Sequence, residues 1–258
     1  MNIFKKLIYN LVIKNNRRTI LATNKSHLEE IIDKEISKYG NECDLNHIDV
    51  SEIVDMSGIF AKSDFNGDIS QWNTSKVINM RDMFFQSQFN GDISGWNTSS
   101  VQNMISMFAN SRFNTDISAW DVSCVKSMKS MFSSSQFNGD ISGWNTSNVM
   151  NMESMFYNAC FNSNVSAWDT SNVQNIRYMY YNSKFSGDIS QWDVSNVEYI
   201  ESIFVNCPAT LPYWAKIPDF NKRQLAVIEF HCNKEKEEIK KVISNECNNK
   251  VINKVVKI

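Results

Sequence analysis

Aspartate returns every 24 residues at Asp68, Asp92, Asp116, Asp140 and Asp188, with Asn164 in the one remaining place. Carboxylates stacked at a fixed interval offer the hard oxygens that calcium takes. A second column of Asn or Asp runs from Asn73 to Asp193. The same side chains also accept from a backbone amide two residues on, the Asx turn. The amide at 164, and at half of the second column, favours turns, since a cation ladder leans on charge. No metal ligand is therefore assigned and no cofactor is expected. A calcium-stabilised array stays as an alternative. Cysteines stand at 43, 124, 160, 207, 232 and 247, with no C-x-x-C pair. Neither Cys43 with His47 nor His231-Cys232 with Cys247 has zinc-site spacing. A thiol nucleophile needs a base beside it, and all three histidines fall outside the periodic part of the chain. The expectation is a protein that is not an enzyme.

Composition limits the partners. Among 258 residues, 26 Lys and Arg face 28 Asp and Glu, a net charge of -2. Nucleic-acid binding would call for a clustered basic face, so no nucleic acid is expected. Hydrophobic residues make up 42% of the chain, enough to fold, but no apolar run is long enough for a transmembrane segment. Residues 1–18 read as a basic amphipathic extension. Asn10 interrupts its apolar stretch, and Lys14, Arg17 and Arg18 stand where a cleavage site would be. That makes a poor signal peptide, so export by the general route is not expected.

What must position these columns is the repeat. Trp72, Trp96, Trp120, Trp144, Trp168 and Trp192 are spaced by 24 without slippage. Phe65, Phe89, Phe113, Phe137, Phe161 and Phe185 precede them by seven. Behind each Trp comes Ser and then V-x-x-M-x-x-M-F, giving Met80, Met104, Met128 and Met152 in one column and Met83, Met107, Met131 and Met155 in another. Side chains repeated so faithfully at one lattice position read as core. A sugar-stacking platform is the weaker use of the Trp column.

The i, i+3, i+6, i+7 spacing of Val77, Met80, Met83 and Phe84 predicts a short helix, with Ser75 at its N-cap. Ser99 with Gln102, Ser171 with Gln174 and Ser195 with Glu198 have capping-box spacing. The D-I-S-x-W half predicts a turn and a short extended segment. One such unit cannot enclose a core, so neighbours must stack. The fold class expected is an α/β repeat, a leucine-rich-repeat-like solenoid of 24-residue units with α-helical caps. Residues 19–47 are the N-terminal strand-helix cap: Thr19–Thr23 as strand, then a helix begun by Ser26 and ended by Gly40. Residues 48–208 are the repeats, and residues 209–258 a C-terminal helical cap or tail with a helix over Asn221–Lys241.

The repeat F-N-G-D-I-S-x-W-[ND]-[TV]-S-x-V-x-x-M-x-x-M-F resembles the BspA-like leucine-rich-repeat surface proteins. It is nearest their mycoplasma-type branch, with repeats of 24–26 residues and a domain of unknown function. The resemblance covers roughly residues 20–208. It implies a bacterial solenoid with a binding or adhesion role, often at the cell surface, and supplies no catalytic residue.

Partner choice belongs to positions that the repeat leaves free. In the later units these turn aromatic, at Tyr157, Tyr178, Tyr181 and Tyr199, and Phe85 takes the equivalent place in the first full unit. Tyrosine clusters on a solvent-side column suit a protein-binding hot spot; the plainer reading is rings that flank the core. The function expected is non-enzymatic protein–protein binding, with a glycan as the other ligand class. The alternatives are an intracellular or phage-encoded effector that sequesters a host protein, and the calcium-stabilised adhesin. Location follows the same division: cytoplasmic from the poor signal peptide, surface or extracellular from the resemblance.

Overall fold

The computed structural model describes residues 17–255, so the extension assigned to residues 1–18 lies almost wholly outside the described residues. Along the chain come β1 (Ile20–Leu21), α1 (Lys25–Tyr39), β2 (Ile48–Asp49), a 3-10 turn (Tyr213–Lys216) and α2 (Phe220–Val255). Between Asp49 and Tyr213 the chain winds in 24-residue coils that contain neither helix nor named strand.

The short helix expected in every unit is replaced by a run of turns. Met83, Phe85 and Ser87 donate their amides to the carbonyls of Met80, Asp82 and Phe84. Asp82 and Gln86 take left-handed φ values of 54°, as the third residue of a type II turn must. The same conformation recurs at Ser106 and Asn110, Ser130 and Ser134, and Ser154 and Asn158. It breaks any α-helix, since a left-handed residue cannot continue one. The alternate amides point along the stack. Met80, Asp82, Phe84 and Gln86 donate to Asn103, Ile105, Met107 and Ala109 of the next coil at 2.9 Å. Parallel bridges join Asp55, Asn79, Asn103, Ser127, Asn151, Asn175 and Tyr199 in succession. The backbone amides and carbonyls of this face, orphans in a single unit, are thereby paired between neighbours, as burial requires.

Without a helix, the serines lose their capping role. Ser75, Ser99, Ser123, Ser147, Ser171 and Ser195 instead donate their amides to the Asn or Asp two residues before.

Inside the coils three aromatic columns run the length of the stack. Phe65 through Phe185 stand 6.1–6.4 Å apart, centroid to centroid. Phe60, Phe84, Phe108, Phe132, Phe156, Tyr180 and Phe204 stand 5.5–6.0 Å apart. The Trp rings stack at 6.1–6.5 Å between 72 and 96, 96 and 120, 144 and 168, and 168 and 192. All are buried with the Met columns, each side chain contributing about 1.5–3 kcal/mol on the usual transfer scale. Each of the six indole N–H groups of the column reaches a carbonyl 27 residues back, as Trp96 does to Ile69 at 3.1 Å, so burial leaves the polar edge of these rings satisfied.

At the first coil, β1 pairs in parallel with β2. Leu28, Ile31 and Ile32 of α1 join the core. Asn24, and not Ser26, caps α1, its side chain accepting from the amide of His27 at 3.0 Å; Gly40 closes the helix at φ 86°. At the far end Trp214 packs on Phe204, and Arg223 donates to the carbonyls of Val197, Ile217 and Pro218. α2 runs well beyond the expected Lys241. Past Val227 its described apolar residues are mostly exposed, Ile228, Ile239, Val242 and Ile243 among them, so only its first turns close the core.

Candidate functional site

The Asp column is spent on turns. Asp68, Asp92, Asp116, Asp140, Asn164 and Asp188 each accept the amide of the serine two residues on at 2.8–3.0 Å. Those amides hold the carboxyls of Asp92, Asp116 and Asp140 below the usual carboxylate range. No group of three or more metal-ligating side chains gathers among the described residues. Cys43 is buried, which pushes its thiol up to about 11, far from the thiolate a nucleophile requires. His47 faces Glu35 at 3.3 Å and Arg17 at 3.5 Å within the N-terminal cap. Cys232 is exposed on α2, while the side chain of Cys247 lies outside the described residues.

The free surface of the turn face is different in its last coils. Tyr157 and Tyr181 occupy one column in adjacent coils, their rings stacked at 5.2 Å and 10°. Tyr178 meets Tyr181 edge-on at 6.0 Å, across a turn and not along the helix that the sequence implied. The guanidinium of Arg177 lies over the Tyr178 ring, 5.5 Å from its centroid, and pairs with Glu201 at 3.0 Å. Tyr157 is 36% and Tyr199 46% exposed. Tyr199 sits in the bridge column opposite Asn175. Phe85 belongs to the Tyr157 column but stands three coils away, roughly 14 Å at sheet spacing, with Ala109 and Ser133 between. It is half-buried and not part of the cluster.

Two scaffold positions are given up to make this patch. Tyr178 holds φ 56° at a place that other coils fill with Gly58, Asp82, Ser106, Ser130, Ser154 and Ser202. A left-handed backbone costs a side-chain-bearing residue about 1–2 kcal/mol, and is unusual for a ring. Tyr199 replaces the Asn, Asp or Ser that, as Asn175 does for Arg177 and Ser127 for Lys129, caps the turn behind the bridge. Spacing pointed to the cluster; the left-handed backbone under Tyr178 had no signal in the residue itself, only in the small residues of its column.

A family model described as Mycoplasma protein of unknown function, DUF285, matches residues 29–138 and again 109–216. The chain belongs to that family. The DUF285 matches run from within α1 through all the coils to the 3-10 turn, and together they cover well over half of the 258 residues. No curated protein matches the chain. No solved structure matches it either.

Proposed function

We propose that this DUF285 protein is a non-enzymatic binding protein, a leucine-rich-repeat-like solenoid of the BspA-like kind that takes a protein partner on the tyrosine patch of its last coils. The observation that carries this reading is Tyr178, an aromatic ring held on a left-handed backbone beside two stacked tyrosines. Backbone strain kept at a surface position fits a site more than a scaffold. Tyrosine with a neighbouring arginine is the composition of binding hot spots, and Arg177 is in place. A protein ligand fits better than a glycan, because the rings form a stacked and edge-on cluster instead of one open platform. In the same reading the protein works at a bacterial surface as an adhesin.

The test is capture of partners from cells of the native host. The unaltered chain is expected to retain a protein that Tyr178→Ala with Tyr181→Ala loses, while both chains melt alike. Equal capture by the two would refute the patch.

A further inference from the structure

α2 carries more apolar surface than its first turns use. Val227 is buried, Phe230 stacks on Tyr213 at 4.5 Å, and Lys234 Nζ donates to Gln191 Oε1 at 2.8 Å. These residues mark the face that holds the helix to the coils. Leu225, Ile228, Ile239 and Val242 are 51–67% exposed, and Cys232 between them is exposed as well. At 3.6 residues per turn they fall on one stripe, about a third of a turn round from the docked face.

The spacing of that stripe restricts what it fits. Leu225, Cys232 and Ile239 take the first apolar position of successive heptads, and Ile228 and Val242 the second. Glu235 takes the second position that remains. This is the seam of a two-stranded coiled coil, about 25 Å long, and it wants a helix with the same repeat. The apolar residues of α1 are already in the core of their own molecule. The matching helix is α2 of a second copy.

Charge fixes the direction. In a parallel pair each heptad position meets its own kind, so Glu235 would face Glu235 of the second copy inside the seam, where like charges repel. In an antiparallel pair first positions meet second positions. Leu225 then packs on Val242, Ile228 on Ile239, and Cys232 on Glu235, which leaves each carboxylate beside a thiol. A polar residue in a seam selects one arrangement at some cost in stability. The flank agrees. Glu229 and Lys236, both exposed, border the seam on the same side and meet each other across an antiparallel pair, once at each end of its two-fold axis. In a parallel pair Lys236 would meet His231 instead. We infer that two copies associate through α2 as an antiparallel coiled coil. Such a contact is isologous and closes at a dimer.

Sedimentation of the full chain over a range of concentrations tests this. The unaltered protein is expected to reach a dimer and go no further. Glu229→Lys sets lysine opposite Lys236, and Lys236→Glu sets glutamate opposite Glu229. Each change turns both flanking pairs repulsive and should weaken the dimer roughly tenfold. An equal mixture of the two variants restores opposite charges in the mixed dimer and is expected to associate as tightly as the unaltered chain. Melts should be unchanged, since both positions lie on the surface. Should either variant lose its cooperative melt, Ile228→Asp takes its place, with association expected to fall at least about tenfold. A monomeric unaltered chain, variants that associate undiminished, or a mixture that associates no better than its components each overturns the inference.

Discussion

Single residues show where the scaffold has been compromised. Tyr180 stands in a column that is otherwise phenylalanine, and its hydroxyl is buried with no hydrogen-bond partner among the described residues; burial pushes its ionisation well up. An unsatisfied buried hydroxyl costs about 1–3 kcal/mol. Tyr180→Phe should therefore stabilise the protein by an amount of that order, read as a higher denaturant midpoint with unchanged slope. A second residue sets a pH dependence. Burial and the neighbouring Arg17 lower the ionisation of His47 from its ordinary 6.5, so the folded chain resists a proton that the unfolded chain takes up. Stability should then decline as pH falls below about 6.5 and level off once the folded ring is also protonated. His47→Gln should flatten thermal melts between pH 7 and 5. The Asp columns act lower: their lowered ionisation lends stability above 3.8 that is lost as pH drops further. A melt of His47→Gln as steep in pH as that of the unaltered chain would remove His47 from the account.

At the level of the coil, the same residue type has different consequences at different steps. A Cβ on Gly67 would lie 1.9 Å from the carbonyl oxygen of Cys43, whereas one on Gly139 meets only the Phe137 ring, at 2.9 Å. Gly67→Ala should destabilise by several kcal/mol, since backbone must move at the junction with the cap. Gly139→Ala should cost far less, as Thr115 and Ser163 already occupy equivalent places. Comparable midpoints for the two would contradict the geometry. Much of the coil was legible in the chain: the 24-residue step, the aromatic columns and the Asx turns all follow from which residue recurs where. The helix did not survive, and the reason is physical. Apolar residues at i, i+3, i+6 and i+7 face one side both in a helix and in consecutive turns that each include a left-handed residue. The discriminating signal was present in the Gly, Asp, Ser and Asn of the 82 and 86 columns, four residues apart, types that tolerate left-handed φ. Tyr178 interrupts that signal in one coil.

For the whole molecule, nearest-neighbour bonding makes length adjustable. Each coil contacts the coil before it and the coil after it, so stability is close to a sum over coils and their interfaces. Excising residues 113–136 rejoins Arg112 to Phe137 in phase and should preserve the circular dichroism spectrum, with a smaller denaturant slope. Excising twelve residues instead should abolish cooperative unfolding, because it sets every later column against the wrong partner. A half-coil deletion that still folds would show that the phase is not what holds the stack. The tyrosine patch should survive the 24-residue excision, since its coils lie beyond the join. The cluster itself was visible as a spacing of 24 between Tyr157 and Tyr181, while the exposure of Tyr199 and the isolation of Phe85 depended on coil geometry.

The dry tryptophan column also makes the protein an optical device. Its indoles lie nearly parallel, with interplanar angles of 1–10°, at centroid separations of 6.1–6.5 Å. Rings so close and so aligned share an excitation faster than they emit it. Emission should be blue-shifted, as for indoles away from water, and near-ultraviolet circular dichroism should show the sharp indole bands of rings held in fixed, asymmetric surroundings. Trp214, outside the column but equally buried, adds to the blue shift. The bands would collapse when the coils part, before any loss of backbone signal from α1 or α2, giving a label-free readout of the stack in the unmodified protein.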